Sequence, residues 1–214
     1  MSPADHLSAG KGWCDCTALL ALRIAPDVIE MEASPEILQL LAVAIHHVNR
    51  RSQENARVAI DIPGIDLSRP GFDRIGSRVN LFGNLELLSC LAEDRRVAGA
   101  MRSGKILTDG IRDLALEPGP GRLLVRSQTG SKSTRAGLAR ARRRIESRGG
   151  TWVEREHRGA GLPANGRHLP FLQVGDRKLS FIPRELPFTG RVEVSTYGFG
   201  DGSAQAGLPT GGWD

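Results

Sequence analysis

Between Cys16 and Leu116 the apolar residues switch back and forth between strand-like and helix-like spacing, and this succession limits the fold more than any other feature of the chain. Cys16 to Ile24 is an apolar run of strand length, followed by Pro26. Ser34-Pro35-Glu36 then supplies a capping serine and a first-turn proline, which predicts a helix from about Pro35 to Arg50. Arg57 to Ile62 alternates as a strand does and ends at the Pro63-Gly64 turn; Arg74 to Leu81 follows as a second strand. Leu85 to Ala100 has helical spacing, and Ile106 to Leu116 returns as a strand weakened by Gly110. Strand, helix, strand, strand, helix, strand is the split βαβ arrangement of a ferredoxin-like domain, so the expected class is α+β.

Glu117-Pro118-Gly119-Pro120-Gly121 packs two prolines and two glycines between periodic segments and marks the expected boundary. It divides the chain into residues 1–118, with 1–13 a loose tail, and a second domain at 119–214. That second domain is expected to contain a strand at Leu123 to Gln128, a helix from about Ser133 to Arg148 and a Gly/Pro-rich loop from Gly149 to Pro170. Short strands at Phe171 to Val174, Lys178 to Ile182 and Arg191 to Tyr197 precede a Gly-rich tail ending near Trp213. No internal repeat is evident.

The charge is unevenly placed. Arg122 to Arg148 holds nine Lys or Arg against the single acid Glu146, so this stretch carries +8 and the remainder −3 of the net +5. On a helical wheel Leu138, Ala141 and Ile145 form a narrow apolar stripe beside a row of Arg140, Arg144 and Arg148; Arg135 and Arg142 stack on the other flank, with Arg143 between. A solvated helix held by its own ion pairs needs acids, and only Glu146 is on hand. A polyanion is therefore the expected partner, with the planar guanidinium fork suited to phosphate. Only 5% of residues are aromatic, so the stacking platform of single-strand binders is missing. A helical element also cannot enter the narrow A-form groove except where a hairpin end opens it, which favours a short RNA stem-loop over long duplex.

Other classes are excluded or weak. No apolar run reaches the roughly 18 residues of a membrane span, and the longest, Thr17 to Ala25, carries Arg23. With no secretion pattern at the start, a cytoplasmic location without membrane association is expected. Cys14, Cys16 and Cys90 give neither a disulfide framework nor zinc spacing. Gly99 to Ile106 nearly matches a phosphate loop, but Ile106 replaces the required hydroxyl residue. No nucleophile elbow, HExxH or calcium loop is present, and Glu93-Asp94 and Asp201 sit in polar surroundings. No metal site and no cofactor are expected.

Of His6, His46, His47, His157 and His168, two fall on the first helix. Measured from an apolar arc of Ile37, Leu41, Ala44 and Val48, His47 lies at the edge beside Leu40, whereas His46 lies opposite, near Gln39 and Arg50. His47 can thus be oriented by packing while still reaching a bound ligand and His46 reads as a solvated surface residue, although a histidine on a helix more often serves structure than catalysis. Imidazole can take the proton from a ribose 2′-hydroxyl or return one to the leaving oxygen, and that chemistry requires no metal.

With these features in place, the chain resembles the CRISPR-associated endoribonucleases that cut repeat RNA in subtype I-F systems. The family has a histidine on its first helix followed by a strand ending in Phe-Pro; here Ile62-Pro63 stands at that point, and counting back without gaps reaches His47, a one-residue slip reaching His46. Arg126-Ser127-Gln128 resembles the family's Arg-x-Gln segment, followed in family order by serine, Lys132 and the arginine helix. Leu169-Pro170-Phe171 is similar to the start of the late strand, and Ser195-Thr196-Tyr197-Gly198 to the terminal Tyr-Gly motif. Gly175-Asp176 replaces the family's positioning serine, and Gly198-Phe199-Gly200 replaces its Gly-Leu-Ser. The resemblance implies a cut at the 3′ base of a repeat hairpin, a 2′,3′-cyclic phosphate, and retention on the mature guide RNA beside other subunits of a surveillance complex. It further implies that Tyr197 belongs to the active site and that Arg126 and Gln128 read bases. Two other readings stand beside it: a non-catalytic hairpin-binding subunit and, more remotely, a small DNA-binding protein.

Overall fold

The computed structural model describes residues 10–53, 55–65, 76–115, 117–127, 135–152, 171–174 and 177–211. They form a mixed α+β structure whose chain separates into two compact units, one made of Met1–Arg126 with Pro170–Asp214 and the other of Ser127–Leu169. The boundary expected at residues 117–121 does not coincide with this division.

In the first unit, β1 (Lys11–Cys14), β2 (Ala18–Ile24), α1 (Pro26–Glu30), α2 (Ser34–Arg51), β3 (Ala59–Asp61) and β4 (Arg78–Gly83) lead to α3 (Leu85–Glu93), α4 (Arg95–Arg102) and β5 (Ile106–Asp113). One sheet runs β3-β4-β2-β5, and every neighbouring pair is antiparallel. Relative to the expected strand, helix, strand, strand, helix, strand order this is 2-3-1-4, the order a split βαβ arrangement requires. β2 is apolar on both faces because both are covered. Leu20 and Leu22 join α2 and α3 in one core, while Leu19 joins Phe82, Leu123, Val125 and Phe188 in another. Each such leucine, fully buried, contributes about 1.5–3 kcal/mol.

Several local expectations change. Ser34 does not cap α2: it is buried as the first helical residue, and Ala33 at the cap makes no side-chain bond. The single helix expected over Leu85 to Ala100 breaks at Asp94, whose carboxylate accepts from Arg96 N–H at 2.9 Å and restarts the chain as α4. Gly110, at φ +95°, sits in a bulge where β5 fits two residues, Asp109 and Gly110, opposite Ala21.

The supposed tail also carries structure. Lys11–Cys14 pairs antiparallel with β9 (Val192–Ser195), and Lys11 Nζ reaches Asp201 at 2.6 Å and Glu193 at 3.2 Å. The Pro-Gly boundary is likewise a strand. β6 (Gly119–Ser127) lies between β10 (Leu208–Pro209) and β8 (Arg177–Phe188), with β7 (Phe171–Val174) on the far side of β8. A Cβ on Gly121 would lie 2.7 Å from Leu186 O and 3.0 Å from Leu208 O, so glycine is there for close backbone approach rather than for flexibility.

β6 is fastened to the first sheet by a buried ion pair. Arg122 grips both oxygens of Asp61, Nη2 at 2.7 and 2.9 Å and Nε at 3.1 Å, and gives Nη1 to Pro63 O. Burial pushes the Asp61 carboxyl above its ordinary range, against the opposing pull of Arg122. In the second unit, α5 (Arg135–Glu146) is the helix expected over 133–148, shorter at both ends, and Gly149 follows it at φ +76°.

Candidate functional site

The segment Ser195–Gly200 is where two of the candidate side chains, His46 and Tyr197, meet. Ser195 N–H donates to Phe199 O at 2.8 Å and Gly198 N–H to Ser195 O at 2.9 Å, closing a tight turn just after β9. Gly198 has φ +79°, and a Cβ there would lie 3.1 Å from Val58 O and 3.3 Å from Ile45 and Ile60 methyls. Only glycine suits both demands. Gly198 O accepts from Ile60 N–H at 3.1 Å, Gly200 N–H donates to Leu124 O at 3.0 Å, and Gly200 O accepts from Arg126 N–H at 2.9 Å. The turn is therefore bonded to β3 and to β6, and Phe199 stacks on Phe181 beneath it with ring centres 5.3 Å apart.

Asn49, fully buried on α2, ties the turn to the helix. Its Oδ1 accepts from Val58 N–H at 2.7 Å, and its Nδ2 donates to Val58 O at 2.8 Å and to Thr196 O at 3.2 Å. One turn of helix away, half-buried His46 stacks on Tyr197, ring centres 4.2 Å apart and planes 8° from parallel. Its Nδ1 lies 3.0 Å from Thr196 Oγ1. The stack fixes the plane of the imidazole and the hydrogen bond fixes its rotation within that plane.

The structure thus pairs Tyr197 with His46, the alternative, and not with His47. The wheel placed His46 opposite the core because it counted only Ile37, Leu41, Ala44 and Val48 as the inner arc. Leu38, Ala42, Ile45 and Asn49 are buried too, so the covered arc is wider and His46 lies at its other edge. His47 is exposed, with Nδ1 3.3 Å from Arg96 Nη1, and its ring centre lies 6.4 Å from that of His46. It opens on a cavity of about 460 Å³ lined also by Arg51, Glu86, Glu93 and Asp94, of which Asp94 is paired with Arg96.

Arg126 is exposed at the end of β6, and Gln128 and Lys132 fall outside the described residues. On α5, Arg140, Arg142, Arg143 and Arg144 are exposed, as is Arg148 beyond its end; Arg135 opens the helix. Glu146 accepts from Arg142 Nε at 2.8 Å, so the helix's one carboxylate is already engaged. Cys14 and Cys16 are buried and Cys90 is exposed. Among the described residues no group of three or more His, Cys, Asp or Glu is placed to hold a metal, and no helix is long and apolar enough to cross a membrane. Sequence reasoning missed Thr196 and Asn49. The available signal was Asn49 itself, an amide three residues after a histidine on a helix face that packs.

No protein-family model matches the chain, and no curated protein matches it. The chain is similar to a solved structure of Thermus thermophilus Cse3 bound to an RNA representing a pre-cleavage complex, at 18% identity and a TM-score of 0.36, over 89% of this chain and 96% of that one. Values this low carry neither a fold nor a function across.

Proposed function

We propose that this protein is a metal-independent endoribonuclease that binds the stem-loop of CRISPR repeat RNA, cuts at its 3′ base and stays on the guide RNA product as a complex subunit. The observation that carries the reading is the histidine held at two points, His46 stacked on Tyr197 and bonded to Thr196. The exposed arginines of α5 supply the phosphate-binding half. His46 takes the proton of the ribose 2′-hydroxyl; the 2′ oxygen bonds to phosphorus, the bond to the 5′ oxygen breaks, that oxygen takes a proton from water, and His46 returns its own to water. The product is a 2′,3′-cyclic phosphate. Tyr197 supports the imidazole, and Arg126 and Gln128 read bases at the foot of the hairpin, arginine on guanine and glutamine on adenine. Lys132, Arg135, Arg140, Arg142, Arg143, Arg144 and Arg148 clamp the backbone. The proposal covers repeat RNA as a class and does not extend to the I-F subtype. Its ferredoxin-like half would carry the chemistry and its arginine helix the affinity.

The test is incubation of the protein with a repeat hairpin in excess chelator. Cleavage is expected, lost in His46→Ala and with a 2′-deoxy nucleotide at the cut site, and kept in His47→Ala; binding should survive all three changes. Replacing Arg140, Arg142, Arg143 and Arg144 by alanine should weaken binding and flatten its dependence on salt by about three in log-log slope. Intact RNA bound tightly and salt-sensitively would leave the non-catalytic subunit, a reading motivated by Gly175-Asp176 where the family has serine. Equal competition by duplex DNA would leave neither.

A further inference from the structure

We infer that Thr196 is the positioning residue of the candidate site: its hydroxyl sets which nitrogen of His46 exchanges protons with the substrate. The inference rests on the nuclease reading and names a residue that reading does not require.

The argument begins with how few constraints a helix histidine has. An imidazole on a half-buried helix position can turn about two side-chain bonds, and its neutral form has two tautomers that expose different nitrogens. Here Nδ1 lies 3.0 Å from Thr196 Oγ1, while Tyr197 covers the ring face at 4.2 Å. Nδ1 is thereby engaged by protein, which assigns proton exchange with RNA to Nε2. A hydroxyl suits this place because its oxygen can accept from Nδ1–H in both protonation states of the ring. When Nε2 is to act as a base, Nδ1–H donates to Oγ1. When Nε2 has taken the proton, Nδ1–H still donates to Oγ1, so the ring need not move between the two states.

Thr196 can do this because its own backbone is fixed. Its carbonyl accepts from Asn49 Nδ2 at 3.2 Å, Asn49 lies on the same helix three residues after His46, and the following turn is closed by Gly198. Helix, histidine and hydroxyl are therefore registered to one another through a single buried amide.

The experiment compares Thr196→Val, which keeps shape but removes the hydroxyl, with Thr196→Ser, which restores it. With repeat hairpin under single-turnover conditions, Thr196→Val should cut about 10- to 100-fold more slowly, part of the roughly 100- to 10,000-fold that a positioned general base contributes. Hairpin affinity should be unchanged, the pH–rate profile displaced, and Thr196→Ser should recover most of the rate. A Thr196→Val protein that cuts at the parent rate with the parent pH profile overturns the inference, while loss of cutting in His46→Ala in the same series keeps the nuclease reading. A parent protein that cuts nothing sinks the nuclease reading, and the contact is then judged by nitrogen-15 spectra of the histidine rings. The His46 signals, assigned with His46→Gln, should change tautomer or exchange regime in Thr196→Val and revert in Thr196→Ser; identical spectra in all three overturn it.

Discussion

Asn49→Leu is the most informative single change in the first unit, because the two side chains share branching and number of heavy atoms and the substitution deletes hydrogen bonds without opening a cavity. Three bonds go: Val58 N–H to Oδ1 at 2.7 Å, Nδ2 to Val58 O at 2.8 Å, and Nδ2 to Thr196 O at 3.2 Å. Thr196 is half-exposed and its carbonyl can turn to water, but Val58 is fully buried and both its backbone groups lose their side-chain partner. At about 1–3 kcal/mol for each buried group left without a bond, the loss centres near 4 kcal/mol. For a chain of this length each kcal/mol moves Tm by about 2–4 °C, so thermal unfolding followed by circular dichroism should fall by about 8–16 °C. The same variant, assayed well below its new Tm, should cut repeat RNA poorly while binding it through the arginine helix as before. An unchanged Tm would refute the view that this amide stands in for a missing strand partner at residue 58. An unchanged cleavage rate in a destabilised protein would separate its structural role from the placement of Thr196.

Two further outcomes follow from the ion pairs. Asp61→Ala should lower stability by about 3–5 kcal/mol, since it strands the mostly buried Arg122 guanidinium, whereas the charge-free pair Asp61→Leu with Arg122→Met should recover most of that loss in urea unfolding; equal loss in both would show that packing, not charge, fastens β6. Asp201 is held at about 2 by Lys11 first and Ser203 second, so its contribution is present above the ordinary carboxylate value of 3.8 and withdrawn as pH falls toward that lower figure. The Tm gap between parent and Asp201→Asn should accordingly close on acidification, and a gap that is constant with pH would contradict it.

How much was legible depended on whether a signal was local. The succession of periods placed β2, α2, β3 and β4 to within a few residues because each buries a face against a neighbour, and burial writes itself into spacing; β5 was placed as well, although Ile106 is its one buried residue. Breaks within helices were less visible: Asp94 reads as one more polar position until its carboxylate is seen capping Arg96. The Pro-Gly stretch hid the start of a strand for a different reason. Gly119, Pro120 and Gly121 look like a linker in sequence, yet glycine also marks places where two backbones come too close for a Cβ, and Gly121 is such a place. Lys11–Cys14 could not be recognised as a strand because its partner, Val192–Ser195, lies at the other end of the chain.

The wheel's placement of His46 failed on a related point, and it shows what a helical wheel leaves out. A wheel asks which face of a helix is apolar, and on α2 that question, put in full, finds Leu38, Ala42 and Ile45 as well as Ile37, Leu41 and Ala44, all packed into the core. It does not ask whether another segment covers an adjoining face with polar contacts. Asn49 is such a contact, buried yet hydrophilic, so it counts against burial on a wheel while in the molecule it anchors the Thr196 turn. A polar residue that is buried must have partners, and those partners must come from backbone that the helix's own sequence does not contain. The residue most at odds with the apolar pattern of α2 is therefore the one that points to its second neighbour, and the histidine one helical turn before it is the one brought against Tyr197.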